Sequence, residues 1–146
     1  MADFSTRLMQ IKDYEAVYRL WSGIQGMGMR SLDDSQAGIT RFLQRNPGTC
    51  FIAEKDGQIA GVILAGHDGR RGYIYHAAVL PALQGQGIGK TLLAHTVEAL
   101  IAEGIHKAGL LVYANNEIGN NFWESQGWEH RTDVYYRNKS LNEENK

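Results

Sequence analysis

The chain reads as an α+β domain with a mixed, mostly antiparallel central sheet of about seven strands, flanked by about four helices. Three observations predict this. Apolar periodicity switches along the chain in the order β-α-α-β-β-β-α-β-α-β-β. Asp56-Gly57, set between two apolar runs, is a hairpin turn signal. A strand-like run over Gly72 to Val79 passes through a glycine-rich loop into a long apolar-periodic helix, the pattern of a parallel crossover.

Each element has its own local reason. Residues 5–9 form a short strand that leads to Asp13, a good N-cap residue. In the helix that follows, Ala16, Val17, Leu20 and Trp21 make one apolar face. The glycine-rich stretch 23–29 breaks helical order, and residues 31–34 have the form of a capped start for a second helix. That helix runs to about Arg45, where Pro47-Gly48 stops it. Residues 50–54 and 58–65 pair through the Asp56-Gly57 turn, and a second turn over 67–72 feeds the next strand. Ile88, Leu92, Leu93, Val97, Leu100 and Ile101 then recur at helical spacing, with Gly104 as the closing residue. A buried strand is expected at 110–113, a short helix at 117–125, and two last strands at about 128–131 and 134–138. A single domain over 1–140 would leave 141–146 as a short, polar, disordered tail.

Composition narrows the function. A chain of 146 residues buries a proper core, and a net charge of -1 exerts no general pull on nucleic acid or acidic membranes. Its single cysteine, Cys50, heads an apolar run and suits packing better than nucleophilic attack. The start Met1-Ala2-Asp3-Phe4 lacks the basic, apolar form of a leader, and no uncharged apolar stretch is long enough to span a bilayer. A cytoplasmic location is expected, with neither membrane nor nucleic acid as a partner.

The most informative stretch is Gln84-Gly85-Gln86-Gly87-Ile88-Gly89-Lys90. A glycine loop between strand and helix brings bare backbone N–H groups close to a phosphate at the positive end of a helix. Two better-known loops do not fit. A Walker A loop would need glycine at Gln84, although Gly89-Lys90-Thr91 matches its end; a Gly-x-Gly-x-x-Gly fingerprint fails because Lys90 stands in the last glycine position.

What remains, Val79-Leu80-Pro81-x-x-Gln84-Gly85-x-Gly87-x-Gly89, resembles the acetyl-CoA signature of the GNAT superfamily of N-acetyltransferases. Asn116-x-x-Gly119-x-x-Phe122-Trp123-Glu124-x-x-Gly127-Trp128 resembles that family's second motif. The resemblance implies acetyl transfer from acetyl-CoA to a primary amine of a small molecule or a protein, by direct attack in a ternary complex. It implies no metal. The loop amides from Gln84 through Lys90 would hold the pyrophosphate. A bulge near the end of the fourth strand would free Ala77, Ala78 and Val79 to bond the pantetheine arm. Asn116 would bond the coenzyme arm or cap the strand end, and Trp123 would lie near the coenzyme. A homodimer is left open.

Catalysis is less legible. A lysine-like amine with a pKa near ~10.4 is almost wholly protonated at neutral pH, so attack needs a base or a desolvating pocket. By resemblance the base position on the fourth strand falls at Tyr73 and Tyr75, whose hydroxyls orient a water rather than act as bases, with Glu54 or Asp68 as distant carboxylates. Strict alternation puts His76 on the opposite face, and only a bulge would bring it round. Where relatives carry a tyrosine acid this chain has Trp123, whose indole N–H cannot act as a general acid near neutral pH. That departure keeps a second reading open, a non-catalytic acyl-CoA-binding or sensing module. A nucleotide phosphotransferase built on Gly89-Lys90-Thr91 is the third. The acceptor is expected between the first two helices and the later strands, near segment 23–30 and the turn 67–72.

Overall fold

The computed structural model describes residues 3–146; Met1 and Ala2, on which the leader reading partly rests, lie outside that range. Among the described residues one sheet of five strands runs in sequence order. The strands are β1 Ser5–Leu8, β2 Phe51–Lys55, β3 Gln58–His67, β4 Gly72–Val79 and β5 Ala108–Leu110, with helices α1 Tyr14–Ser22, α2 Gln36–Arg45, α3 Ile88–Ala102 and α4 Glu117–Ser125. Neighbouring strands are antiparallel except β4 and β5, which α3 joins as a parallel crossover.

Each face of the sheet carries its own core. Val17, Leu20 and Trp21 of α1 and Ile39 and Leu43 of α2 pack against Ile52, Val62, Leu64 and Ala78. On the other face Ile88, Leu92 and Leu93 of α3 pack against Ala53, Ile63 and Ile74. α3 ends as expected, with Gly104 in the left-handed region at φ 81.

Several expectations need correction. The sheet has five strands, not about seven: residues 128–131 and 134–138 form no strand, and Tyr135 is 92% exposed. Alternating β-branched and aromatic residues favour a pleated surface only where a neighbour supplies the ladder, and none does so here. β5 is shorter and less buried than expected, and Leu111 and Tyr113 beyond it stand exposed.

Asp13 does not cap α1 with its side chain. Its carboxylate is taken by the Gln10 N–H at 2.8 Å and by two Arg7 guanidinium nitrogens at 2.8 and 2.9 Å. α2 starts later than expected, with Ser35 Oγ accepting from the Gly38 N–H at 3.0 Å. The tail expected to be disordered is bonded: Asn145 Oδ1 accepts from the N–H groups of Leu32 and Asp33, both at 3.0 Å.

One irregularity positions the site. Leu64 opposes His76 while its neighbour Ala65 opposes Ile74, so Tyr75 is an extra residue in β4. The bulge thus lies mid-strand, whereas residues 77–79, where it was expected, stay in regular register with β3.

Candidate functional site

The end of β4, the start of α3 and one side of α4 enclose a cavity of about 300 Å³. β4 pairs with β5 only through residues 72–74. Past Ile74 the two strands part, and the β4 edge on that side has no strand beside it among the described residues.

Gly87 precedes α3 at φ 88, and Gly85 lies at φ 82. A Cβ at either glycine would meet nothing within 4 Å, so the sign of φ, not crowding, calls for glycine at both. The backbone ladder of α3 begins with the Thr91 N–H donating to the Gly87 carbonyl at 3.0 Å. The amides of Ile88, Gly89 and Lys90 therefore have no partner inside the helix, and no acidic residue occupies its first turn.

Ala77, Ala78, Val79, Gln84, Gly85, Gly87, Ile88, Gly89, Lys90 and Trp123 all line the cavity. Two residues expected with them do not. Gln86 turns outward, its Oε1 accepting from Lys55 Nζ at 3.1 Å. Asn116 caps α4, its Oδ1 accepting from the Gly119 N–H at 2.9 Å, which leaves its Nδ2 as a donor.

Ile118 and Phe122 also line the cavity, and neither was singled out from sequence as a site residue. Their i, i+4 spacing on α4, with Trp123 adjacent, was the available signal. Phe122 packs under the loop, where a Cβ on Gly89 would stand 3.3 Å from its ring. Trp123 is half-buried between the rings of Phe122 at 5.1 Å and Trp128 at 5.2 Å.

The opposite face carries the polar groups considered for proton transfer. The Tyr73 and Tyr75 rings lie 4.6 Å apart, and Tyr75 meets Phe42 of α2 edge to face at 5.4 Å. Burial pushes the Tyr73 hydroxyl up to about 12 and raises that of Tyr75, with Asp33, Tyr136 and Asp68 adding negative potential at Tyr75. Both therefore stay protonated near neutral pH, the form in which a phenol can donate a hydrogen bond but cannot act as a base.

The bulge brings His76 to this same face. Its ring lies edge to face with Trp21 at 4.9 Å, and its Nε2 is 2.8 Å from Asp34 Oδ1. Of the two more distant carboxylates, Glu54 is tied to Arg7 Nε at 2.7 Å. Asp68 accepts from the N–H groups of Arg70 and Arg71, both at 2.8 Å, and those bonds hold its carboxyl below the usual range.

Among the described residues no group of three or more His, Cys, Asp or Glu side chains is arranged to hold a metal ion, and no helix is long and apolar enough to cross a membrane.

Comparison with known proteins adds the family. The profile of the acetyltransferase (GNAT) family matches residues 14–128. An acetyltransferase of Pectobacterium atrosepticum is 32% identical over 123 residues, covering 84% of this chain and 86% of the relative. One of Sodalis glossinidius is 31% identical over 138 residues, covering 94% and 96%. Among solved structures, AAC(6')-Iy, an aminoglycoside N-acetyltransferase in complex with a CoA-linked bisubstrate analogue, is similar in fold. Its TM-score is 0.74 at 20% identity, over 95% of this chain and 100% of that one.

Proposed function

The chain belongs to the GNAT acetyltransferase family, and from that premise we propose that it transfers an acetyl group from acetyl-CoA to a primary amine, in a ternary complex and without a covalent acyl-enzyme. The observation that carries this reading is the parting of β4 from β5 beside the unpaired amides at the start of α3. Coenzyme A combines a pyrophosphate with an extended chain of amides, and the two halves of the cavity fit those two chemistries.

In this reading the loop amides from Gln84 to Lys90 hold the pyrophosphate, with Lys90 as an adjacent positive charge. The β4 edge at Ala77, Ala78 and Val79 holds the arm. Asn116 contributes Nδ2, its Oδ1 being engaged in the helix cap. Ile118, Phe122 and Trp123 close the apolar side and exclude water. When bound, acetyl-CoA supplies the activated acetyl thioester.

The remaining work belongs to the chain: to hold an amine on the β4 face where Tyr73 and Tyr75 donate hydrogen bonds, and to help it lose a proton. A protonated amine at neutral pH is handicapped by roughly 4–5 kcal/mol. A half-buried aromatic surface lowers an ammonium pKa by desolvation, and fixed proximity offsets more of the barrier. The acceptor class spans small-molecule amines and protein or peptide amines, and the location fitting this chemistry is the cytoplasm.

One observation favours the second reading, a non-catalytic acyl-CoA-binding module. Trp123 occupies the position of the family's usual acid, while Tyr73 and Tyr75 are both shifted away from neutrality. A panel of primary amines incubated with acetyl-CoA, with release of free coenzyme thiol as the signal, tests the proposal. Turnover on at least one amine is expected. Tight coenzyme binding by calorimetry without turnover on any would move the assignment to the sensor, and ATP binding without CoA binding would overturn both.

A further inference from the structure

Asp34 and His76 form a buried pair, 4% and 8% exposed, joining residues 42 positions apart in the chain. Asp34 closes the connector that runs from α1 to α2. Its second oxygen, Oδ2, accepts from the Arg30 N–H at 2.7 Å, and its main-chain carbonyl accepts from the Tyr14 hydroxyl at 2.7 Å. One residue thus ties α1, the connector and, through His76, the bulged strand.

The other end of the connector reaches the coenzyme side. A Cβ on Gly28 would stand 3.3 Å from the Tyr113 hydroxyl, and one on Gly26 would stand 3.8 Å from Asn116 Nδ2. Segment 23–35 therefore bridges two walls of the proposed ternary complex, and its only buried polar anchor on β4 among the described residues is His76.

His76 itself is not placed to meet a substrate. Nε2 is spent on Asp34, while Nδ1 is fully buried without a hydrogen-bond partner, beside the equally enclosed Trp21 indole. A base must reach the proton it removes, so a ring closed off on both nitrogens does not serve. Removing one member of a buried polar pair strands the other, and the element it held is released.

We infer that His76 is a positioning residue, which through Asp34 holds the α1–α2 connector in place as a wall of the acceptor site. The inference rests on the acetyltransferase reading for its kinetic consequence but not for its structural one. In His76→Leu, amides of segment 24–35 should exchange with deuterium at least tenfold faster, while those of β2 and β3 keep their protection. With an amine that the panel identifies, acceptor KM should rise roughly tenfold while the dissociation constant for CoA changes less than twofold. His76→Gln, whose amide can still donate to Asp34, should recover most of both effects. Should His76→Leu not fold, His76→Asn, too short to reach Asp34, takes its place under the same measurements.

Unchanged exchange in the connector would overturn the inference, whatever the enzyme does. So would unchanged acceptor KM, or a CoA affinity that falls in step with it. Absence of turnover in the parent protein would count against the proposed function alone, since the exchange measurement still decides the role of His76.

Discussion

The backbone of Gly28 lies against the phenol of Tyr113, so that a methyl group on the glycine would stand 3.3 Å from the hydroxyl oxygen. Gly28 also sits in the left-handed region at φ 69. The connector between the first two helices thereby lies against the chain leaving β5, at a residue where even a methyl group would make the Tyr113 ring give by a few tenths of an ångström.

Gly28→Ala should consequently act twice, through backbone strain of about 1–2 kcal/mol and through displacement of Tyr113. The expected outcome is a raised acceptor KM with near-normal CoA binding. Calorimetry beside steady-state kinetics checks it, and an equal loss of both affinities would place the connector elsewhere.

Gly87→Glu should remove coenzyme binding while leaving the fold largely intact. Space around Gly87 is open, so the fold bears only the strain of a positive φ, about 1–2 kcal/mol. A carboxylate at the start of α3 would repel a pyrophosphate held there. CoA affinity within threefold of the parent would refute the placement.

Tyr75→Phe should lower turnover more than coenzyme affinity, since it deletes a donor on the acceptor face and keeps the ring packed on Phe42. Burial raises the pKa values of both tyrosines, so neither should contribute an inflection to the rate profile between pH 6 and about 9. A tyrosine-dependent limb within that range would reverse the assignment of Tyr73 and Tyr75 as donors.

Asp13 should be a stability residue. Burial, the largest single influence, would raise its pKa, but the Arg7 hydrogen bonds, the Gln10 amide and the nearby charges of Arg7 and Lys12 together outweigh it and hold the carboxyl below its ordinary value. A depressed folded-state pKa means stability present in full above about pH 4 and lost as pH falls through the lower folded value. Asp13→Ala should cost about 2 kcal/mol at neutral pH, by removing the carboxylate that the Gln10 amide and two Arg7 nitrogens share while Arg7 keeps Glu54, and flatten the acid limb of a pH-dependent melt. An unchanged limb would mean that other carboxylates carry it.

Cys50 should be silent toward thiol reagents in the native protein. Burial pushes its thiol up to about 12, and Sγ donates to the Ala65 carbonyl at 3.1 Å. A disulfide reagent at pH 8 should react only after unfolding, which also keeps the protein's own thiol out of a coenzyme-release assay. Prompt reaction without denaturant would contradict this burial.

Much of the architecture was legible in local signals. Asp56-Gly57 marked the β2–β3 hairpin, the 3.6-residue period marked α3, and the glycines marked the start of that helix. Less legible were features set by partners distant in sequence. Val134, Tyr135 and Tyr136 look like strand residues because strand propensity is local, whereas a ladder requires a second strand. The helix α2 begins at Ser35 because the preceding residues are drawn into the Arg30–Asp34 turn and the contacts of Asn145. The side of β4 that His76 occupies depends on the pairing register with β3, and nothing in Tyr75-His76 itself announces the extra residue.

The bulge at Tyr75 has a consequence for how this strand tolerates change. Ile74 and Ala77, three positions apart, both serve the α3 core, while His76 and Ala78 face the other helices. β4 is in effect two half-strands of opposite parity spliced at one residue. Substitution at the splice leaves that arithmetic alone. Deleting Tyr75 would restore plain alternation with Ile74, His76, Ala77 and Ala78 all keeping their present faces, and would remove only the tyrosine ring packed on Phe42. Position 75 is therefore the one place in β4 where the strand can lose a residue without re-sorting the side chains of either core, whereas a deletion on either side of it would invert part of the strand.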